Sequence, residues 1–373
     1  MDGQGQTGGP LRVALLSPCF WPEVRRGGER LVRELADELI ARGHSPRLIT
    51  SHPGARSEGI EDGLRVIRNR RLPDRWIPVS DPESYLTHVP LSYISLRRGD
   101  DDVAHAVYAT DALAANRWSA RSGRPSVYTH LGIPDEADLS ERRWRSRIVH
   151  RAARRASAFT VVSRAAATAA RRTLGVEPHV IYPGVDLEKF RPAPRRSEQP
   201  TVICAADADQ PRKRVGLLVE AMGLVRRERP EARLILSRPS ERLAASISDA
   251  LPGVEFLDDH EALPDACARA WTAALPARAE AFGLVLAEAL AAGTPVVGSE
   301  HGGIPEIAAD DRVGRVFSPD DAPGLARAIL ETIEMAGDPG TAEACRRRAA
   351  EYSRQRSADA YIHLYRAVRA EAS

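Results

Sequence analysis

Lysine is nearly missing from this sequence: of its 53 basic side chains, all but Lys189 and Lys213 are arginine. A GC-rich genome imposes such a bias, so the arginine excess is not in itself a functional signature. Net charge is only +2, which excludes strong whole-molecule attraction to nucleic acid. The four cysteines, Cys19, Cys204, Cys267 and Cys345, lie far apart and form no C-x-x-C pair. Neither a disulfide framework nor a zinc site is expected, which fits a reducing, cytoplasmic setting. No apolar run approaches the length of a membrane span, so any membrane contact is expected to be peripheral. Met1 to Pro10 is polar and glycine-rich, lacks the apolar stretch of a signal peptide, and is expected to be a disordered lead-in.

What is present is the composition of a folded protein, 43% apolar and 28% charged. At 373 residues, two domains of ordinary size are expected rather than one. In the first half, Leu11–Ser17 reads as a buried strand. A helix follows, with an apolar stripe at Leu31, Val32, Leu35, Ala36, Leu39 and Ile40, and Arg47–Thr50 returns as a strand. The loop between places Gly27-Gly28 directly ahead of the helix, where backbone can approach a ligand and amide donors are available. It is not the G-x-G-x-x-G dinucleotide fingerprint, and most glycine pairs are only turns. Residues 53–99 show prolines, paired arginines and no clear period. The alternation resumes with Val103–Val107, a helix over Asp111–Ala120 and a strand Ser126–Thr129. His130 then stands at a strand's carboxyl end, the side on which such sheets bind ligands.

Between Arg142 and Arg172 there are ten arginines and no acid. Two helices around a strand Phe159–Val162 share them. A solvated basic face is the plain interpretation; recruitment to an anionic membrane surface or acidic acceptor is the sharper one. The second half repeats the rhythm: strand Val202–Cys204, helix Val215–Arg229, strand Leu234–Leu236, then short strands Val254–Leu257 and Trp271–Leu275. Repeated βα units in both halves predict two parallel sheets.

The most informative stretch runs from Glu280 to Val297. A helix is expected to open at Gly283 and end at Gly293 in a left-handed cap, with Pro295 beyond and a strand from Val296. Glu280 then lies just before the helix and Glu288 about two turns inside, with unpaired helix-start amides between them, a ready site for phosphate. Two carboxylates flanking an anion site suit hydroxyl groups. An anion with diols on both sides describes a nucleotide-diphosphate sugar. The plain alternative is a helix with an acidic start and an ordinary surface Glu288.

Glu280 and Glu288, followed by Gly302-Gly303-Ile304-Pro305-Glu306, closely resemble the donor-site signature of glycosyltransferase family 4. The resemblance implies a retaining enzyme of GT-B architecture, two Rossmann-like α/β domains with parallel sheets facing across a cleft. It covers most of the chain, with residues 11–50 and 180–192 also similar. The expected division is residues 1–185 as acceptor domain, 186–355 as donor domain, and a helix over 356–373 crossing back to the first. By that resemblance, Gly27 and Gly28 approach the donor phosphates, and His130 faces donor sugar and acceptor. Lys213 and Arg212 grip the diphosphate, together with the amides of Phe282, Gly283 and Leu284. Glu280 holds the sugar hydroxyls and Glu288 the ribose diol. His130, Glu280 and Lys213 are the implied catalytic residues. No cofactor or metal is expected beyond a UDP- or GDP-sugar co-substrate, and Asp207-Ala-Asp209 imitates a D-x-D metal motif by chance.

One position departs from the family. Relatives carry Gly-Arg where this chain has Ala206-Asp207. An acid beside a diphosphate is costly, about 4 kcal/mol for a unit pair 4 Å apart at an effective dielectric of 20. Either Asp207 turns away and Arg212, Arg214 or Arg238 replaces the missing cation, or the donor is unusual, or catalysis is lost. The last alternative is a degenerate protein that binds a nucleotide or sugar without transfer.

Overall fold

The computed structural model describes residues 9–24, 26–72, 86–135, 139 and 143–372. The expected lead-in falls largely on residues 1–8, outside the described residues, as does Arg142 at the start of the basic run. The chain forms two compact units. One comprises the chain to Gly184 together with Arg354 onward; the other is Val185–Ser353.

The first unit holds strands β1 (Arg12–Leu16), β2 (Ser45–His52), β3 (Ser57–Glu61), β4 (Leu64–Arg70), β5 (Val103–Ala106), β6 (Ser126–His130), β7 (Ala158–Val161) and β8 (His179–Val180). They make one sheet in the order β3-β4-β2-β1-β5-β6-β7-β8. Every pairing is parallel except β3 with β4. The two-residue side-chain period of a strand explains why β1 reads as a continuous apolar run. Val13 and Leu15 enter the core on one face, with the helices Gly27–Ala41 and Arg354–Ala372, while Ala14 and Leu16 enter the core on the other. The final helix is therefore part of the first unit's core, through Tyr361, Ile362, Leu364, Tyr365 and Val368.

Within residues 53–99, the described stretch 57–70 shows no helical period because it forms a polar hairpin, while residues 73–85 lie outside the described residues. β3 is an edge strand exposed along nearly its whole length, and it joins β4 through Asp62-Gly63, both at positive φ (45° and 80°). That dipeptide is a strong hairpin signal which the search for apolar periods passed over. The helix Val89–Arg97 completes the part of this region that is described.

The second unit holds β9 (Thr201–Cys204), β10 (Arg233–Ser237), β11 (Val254–Leu257), β12 (Thr272–Leu275), β13 (Val296–Gly298) and β14 (Gly314–Val316). All pairings are parallel, in the order β11-β10-β9-β12-β13-β14. The strand order reverses between β9 and β12, and a crevice at the carboxyl ends of such a strand pair is where open α/β sheets bind ligands. The corresponding reversal in the first sheet lies between β1 and β5. Among the described residues no helix is long and apolar enough to cross a membrane. Of the arginines on the helices Arg143–Arg155 and Arg164–Leu174, Arg154 donates to the Leu174 carbonyl (3.1 Å) and Arg171 pairs with Glu177 (2.7 Å). Arg147, Arg151, Arg155 and Arg172 stand exposed.

Candidate active site

The loop leaving β9 ends in a 3-10 turn, Pro211–Lys213, and then Arg214 at φ 51°, which starts the helix Val215–Glu228. The loop leaving β12 carries Glu280. These two loops flank the strand reversal and their charges meet. The Lys213 ammonium donates to Glu280 Oε2, and Arg212 Nη1 lies 3.3 Å from the same oxygen. The Lys213 and Glu280 side chains are largely shielded, at 12% and 15% exposure, whereas Arg212 is 45% exposed. Glu280 thus offsets one of the two positive charges that the resemblance assigns to a diphosphate.

Asp207, at the departure from the family, does not enter this cluster. It is exposed and closes its own turn, accepting from the Asp209 amide (3.1 Å) and the Gln210 side chain (2.8 Å). Asp209 accepts from the amide of Ser240 (2.7 Å), which stands at the N-cap of the helix Glu241–Ala250. In the D-x-D imitation, then, Asp207 anchors a local turn and Asp209 ties this loop to the start of the helix Glu241–Ala250. Of the three arginines that could supply the missing cation, two are committed elsewhere. Arg214 makes a two-pronged pair with Asp320 (2.6 and 2.9 Å) and donates to the Pro276 carbonyl (2.6 Å). Arg238 pairs with Asp258 and lies over the Phe256 ring. Arg212 is the one beside Lys213.

Gly283 is the N-cap of the helix Leu284–Ala291, at φ 99°, and no side chain caps that end. The far end closes as a Schellman turn: the Thr294 amide donates to Ala289 and the Gly293 amide to Leu290, both at 2.9 Å, with Gly293 at φ 79°. Glu288 is the fifth helical residue, little more than one turn in, so the expected two turns are too many. At 2% exposure it is no ordinary surface glutamate. Burial, with the Glu288 charge adding to it, raises the pKa of the Cys267 thiol. Gly303 explains the glycine pair after β13. Its amide donates to the Glu280 carbonyl (2.9 Å), and a Cβ there would stand 2.9 Å from Phe282 Cα and nearer still to the Ala281 oxygen. A side chain would push apart the two loops it now braces.

In the first unit, Gly27 opens its helix with free space where a Cβ would be. Gly28 instead packs closely: a Cβ would lie 2.9 Å from Leu131 Cδ1 and 3.0 Å from the Tyr108 hydroxyl. The first turn of this helix already holds a carboxylate. Buried Glu29 accepts from the Arg26 amide (3.0 Å) and the Tyr108 hydroxyl (2.9 Å). His130 ends β6, its Nδ1 2.9 Å from the Tyr128 hydroxyl. Burial, and then the Arg145 charge, push its pKa down to about 4, so the imidazole is neutral near pH 7.

The sequence profile described as Glycosyltransferase Family 4 matches residues 25–189, and that described as Glycosyl transferases group 1 matches residues 199–335. The chain belongs to glycosyltransferase family 4. Similar proteins include the MMP α-(1→4)-mannosyltransferase of Mycolicibacterium hassiacum, 29% identical over 91% of this chain and 94% of the relative. The phosphatidyl-myo-inositol mannosyltransferase of Mycobacterium leprae is 27% identical over 87% of each chain. Among solved structures, sucrose-phosphate synthase from Thermosynechococcus elongatus superposes with a TM-score of 0.82 at 22% identity, over 97% of this chain and 100% of that one. HepE from Anabaena, solved with UDP-glucose, gives 0.74 at 18%, over 96% and 100%. The fold is GT-B, two parallel-sheet α/β domains, and the protein is a glycosyltransferase, an enzyme of the EC 2.4 type.

In this glycosyltransferase one further carboxylate, without a local signature in the sequence, binds the loops that leave the strand reversal. Asp320, in the loop after β14, accepts from Arg278 (2.8 Å) and His301 (3.1 Å) as well as Arg214. The Arg214 hydrogen bonds foremost, against the opposing effect of burial, and then those of Arg278 and His301, hold its carboxyl well below the usual range. Its partners lie 106, 42 and 19 residues away, so nothing local advertises them. The only signal was Ser318-Pro319-Asp320-Asp321 as a loop ahead of a helix, which Asp321 caps by accepting from the Gly324 amide (2.8 Å).

Proposed function

We propose that this glycosyltransferase takes its sugar from a nucleotide-diphosphate sugar, with UDP or GDP as leaving group. It passes the sugar, with retention of configuration, to an acceptor nucleophile on a saccharide, lipid or secondary metabolite. The observation that carries this reading is the convergence of Lys213, Arg212 and Glu280 beside the uncapped start of the helix Leu284–Ala291, at the strand reversal of the second unit. A helix start without a side-chain cap presents backbone amide donors, and adjacent cations add charge-assisted ones; together they suit a diphosphate.

In the proposed reaction the bond between the sugar's anomeric carbon and the phosphate oxygen breaks, its electron pair leaving with the diphosphate. The acceptor oxygen bonds to the oxocarbenium-like carbon on the face just vacated, and its proton passes to the departing phosphate oxygen. Lys213, Arg212 and the amides of Phe282, Gly283 and Leu284 stabilise the developing phosphate charge, the role a divalent ion plays elsewhere. Glu280, released from Lys213 by the incoming phosphate, holds the sugar hydroxyls, and Glu288 the ribose diol. In the first unit, neutral His130 is proposed to face substrate.

A panel of UDP- and GDP-sugars, scored by hydrolysis and by shifts in melting temperature, tests this reading. One donor is expected to be hydrolysed and to stabilise the protein, with turnover surviving EDTA. Lys213→Ala is expected to weaken binding of the matching nucleoside diphosphate about 10- to 100-fold, the worth of a charged hydrogen bond of roughly 1.5–3 kcal/mol. No response to any nucleotide sugar would overturn the proposal.

A further inference from the structure

Asp320 does not touch the cation pair, yet it gathers the loops that carry it. Its two carboxylate oxygens take Arg214 from the loop after β9, Arg278 from the loop after β12 and His301 from the loop after β13. Its own loop follows β14, so the carboxyl ends of four adjacent strands are tied to one side chain. The ties reach the candidate site within one or two residues. Arg214 is next to Lys213. Arg278 lies two residues before Glu280, and its amide donates to the Arg212 carbonyl at 2.8 Å. His301 lies two residues before Gly303, the brace on Glu280. Arg214, held by Asp320, also donates through Nε to the Pro276 carbonyl at 2.6 Å, which closes the loop after β9 onto the loop after β12.

We infer that Asp320 is a positioning residue for the donor's diphosphate: it sets the spacing between the Lys213–Arg212 turn and the Glu280 loop. The inference rests on the proposed function, because it needs that gap to hold a diphosphate. A carboxylate suits this task where a neutral side chain does not. It draws two guanidinium groups and an imidazole to one point, and its charge keeps Arg214 and Arg278 from repelling each other and from competing with Lys213 for the phosphate. Chain distance makes it a tertiary device. No other described side chain takes hydrogen bonds from all three loops; the remaining ties, such as Arg214 to the Pro276 carbonyl and Ser299 to the Ala277 carbonyl, join them two at a time.

The test measures affinity for a nucleoside diphosphate and for the matching monophosphate, using UDP with UMP and GDP with GMP, by titration calorimetry at a temperature where every variant is folded. In Asp320→Asn the diphosphate is expected to bind at least tenfold more weakly while the monophosphate changes less than twofold, with Asp320→Glu recovering much of the loss. General loosening of the unit would weaken both ligands alike, and that result would overturn the inference. Should Asp320→Asn not fold, Arg278→Ala, which removes a half-exposed strand of the same knot, is expected to show the same selective loss in smaller measure, about threefold. A selective loss in Lys213→Ala with none in either Asp320→Asn or Arg278→Ala would overturn this inference and leave the proposed function standing. If the wild-type protein bound neither diphosphate, both would fall.

Discussion

At the scale of single residues, the site is held in a self-neutralised state. Glu280 sits on Lys213, so the ammonium proposed to meet a diphosphate is already partly satisfied. In the proposed reaction the donor displaces a carboxylate before it gains the ammonium. Glu280→Gln should therefore bind UDP or GDP alone more tightly, by roughly fivefold, about 1 kcal/mol for a partly exposed pair. Transfer should nonetheless fall, because the group proposed for the sugar hydroxyls is weakened. Calorimetry beside an activity assay reads both, and weaker diphosphate binding in this variant would remove Glu280 from the cation's neighbourhood in function. Asp207 shows how a conspicuous departure from a family pattern can have a local cause. It closes its own turn, and its predicted cost to an anion is avoided by facing solvent.

At the scale of elements, the candidate site is built from loops at strand ends held by contacts that leave no mark in local sequence. Gly303 is the sharpest case, since its missing side chain lets the loop after β13 lie against the backbone of Ala281 and Phe282. Gly303→Ala should destabilise the second unit by about 1–3 kcal/mol, the usual cost of overpacking, and weaken nucleotide binding as well. Denaturant midpoints and calorimetry check this; an unchanged midpoint with unchanged binding would show that the brace gives way freely. Gly28 shows the same device in the first unit, its missing side chain admitting Tyr108 and Leu131 close to the helix start.

At the scale of the whole molecule, the last helix stabilises a unit whose other elements were finished some 170 residues earlier in the chain, the gap between Gly184 and Arg354. A buried polar chain joins it to the sheet: His105 Nδ1 lies 2.6 Å from the Tyr365 hydroxyl and Nε2 2.7 Å from Thr129 Oγ1. Ending the chain at Ser353 removes Tyr361, Ile362, Leu364, Tyr365 and Val368 from the core. At about 1.5–3 kcal/mol each this approaches the whole stability of a typical domain, so the shortened protein should lose the first unit's cooperative unfolding transition. Burial also lowers the His105 pKa to about 3, against 6.5 ordinarily. The unfolded chain takes up a proton first as pH falls, so the stability from neutral His105 is complete above about pH 6.5 and is lost progressively toward pH 3. Between pH 6.5 and 5 the loss should be about 2 kcal/mol. Urea unfolding across that range should show the slope, and His105→Gln should flatten it.

The alternating βα units outside residues 53–99 and the presence of two units were legible in the sequence, because alternation, caps and glycine turns are short-range consequences of backbone sterics. The Gly283–Gly293 helix with Glu280 ahead of it was visible in that way, whereas Lys213 and Arg212 stood out only through the family resemblance. The tertiary structure alone decided which charges meet: that Glu280 closes on Lys213, that Arg214 and Arg238 are spoken for, that Glu288 is buried, and that Asp320 ties three loops together. Electrostatic and packing partners are chosen by distance in space. Here those distances are set by strand order in a sheet, which brings together residues up to 106 positions apart.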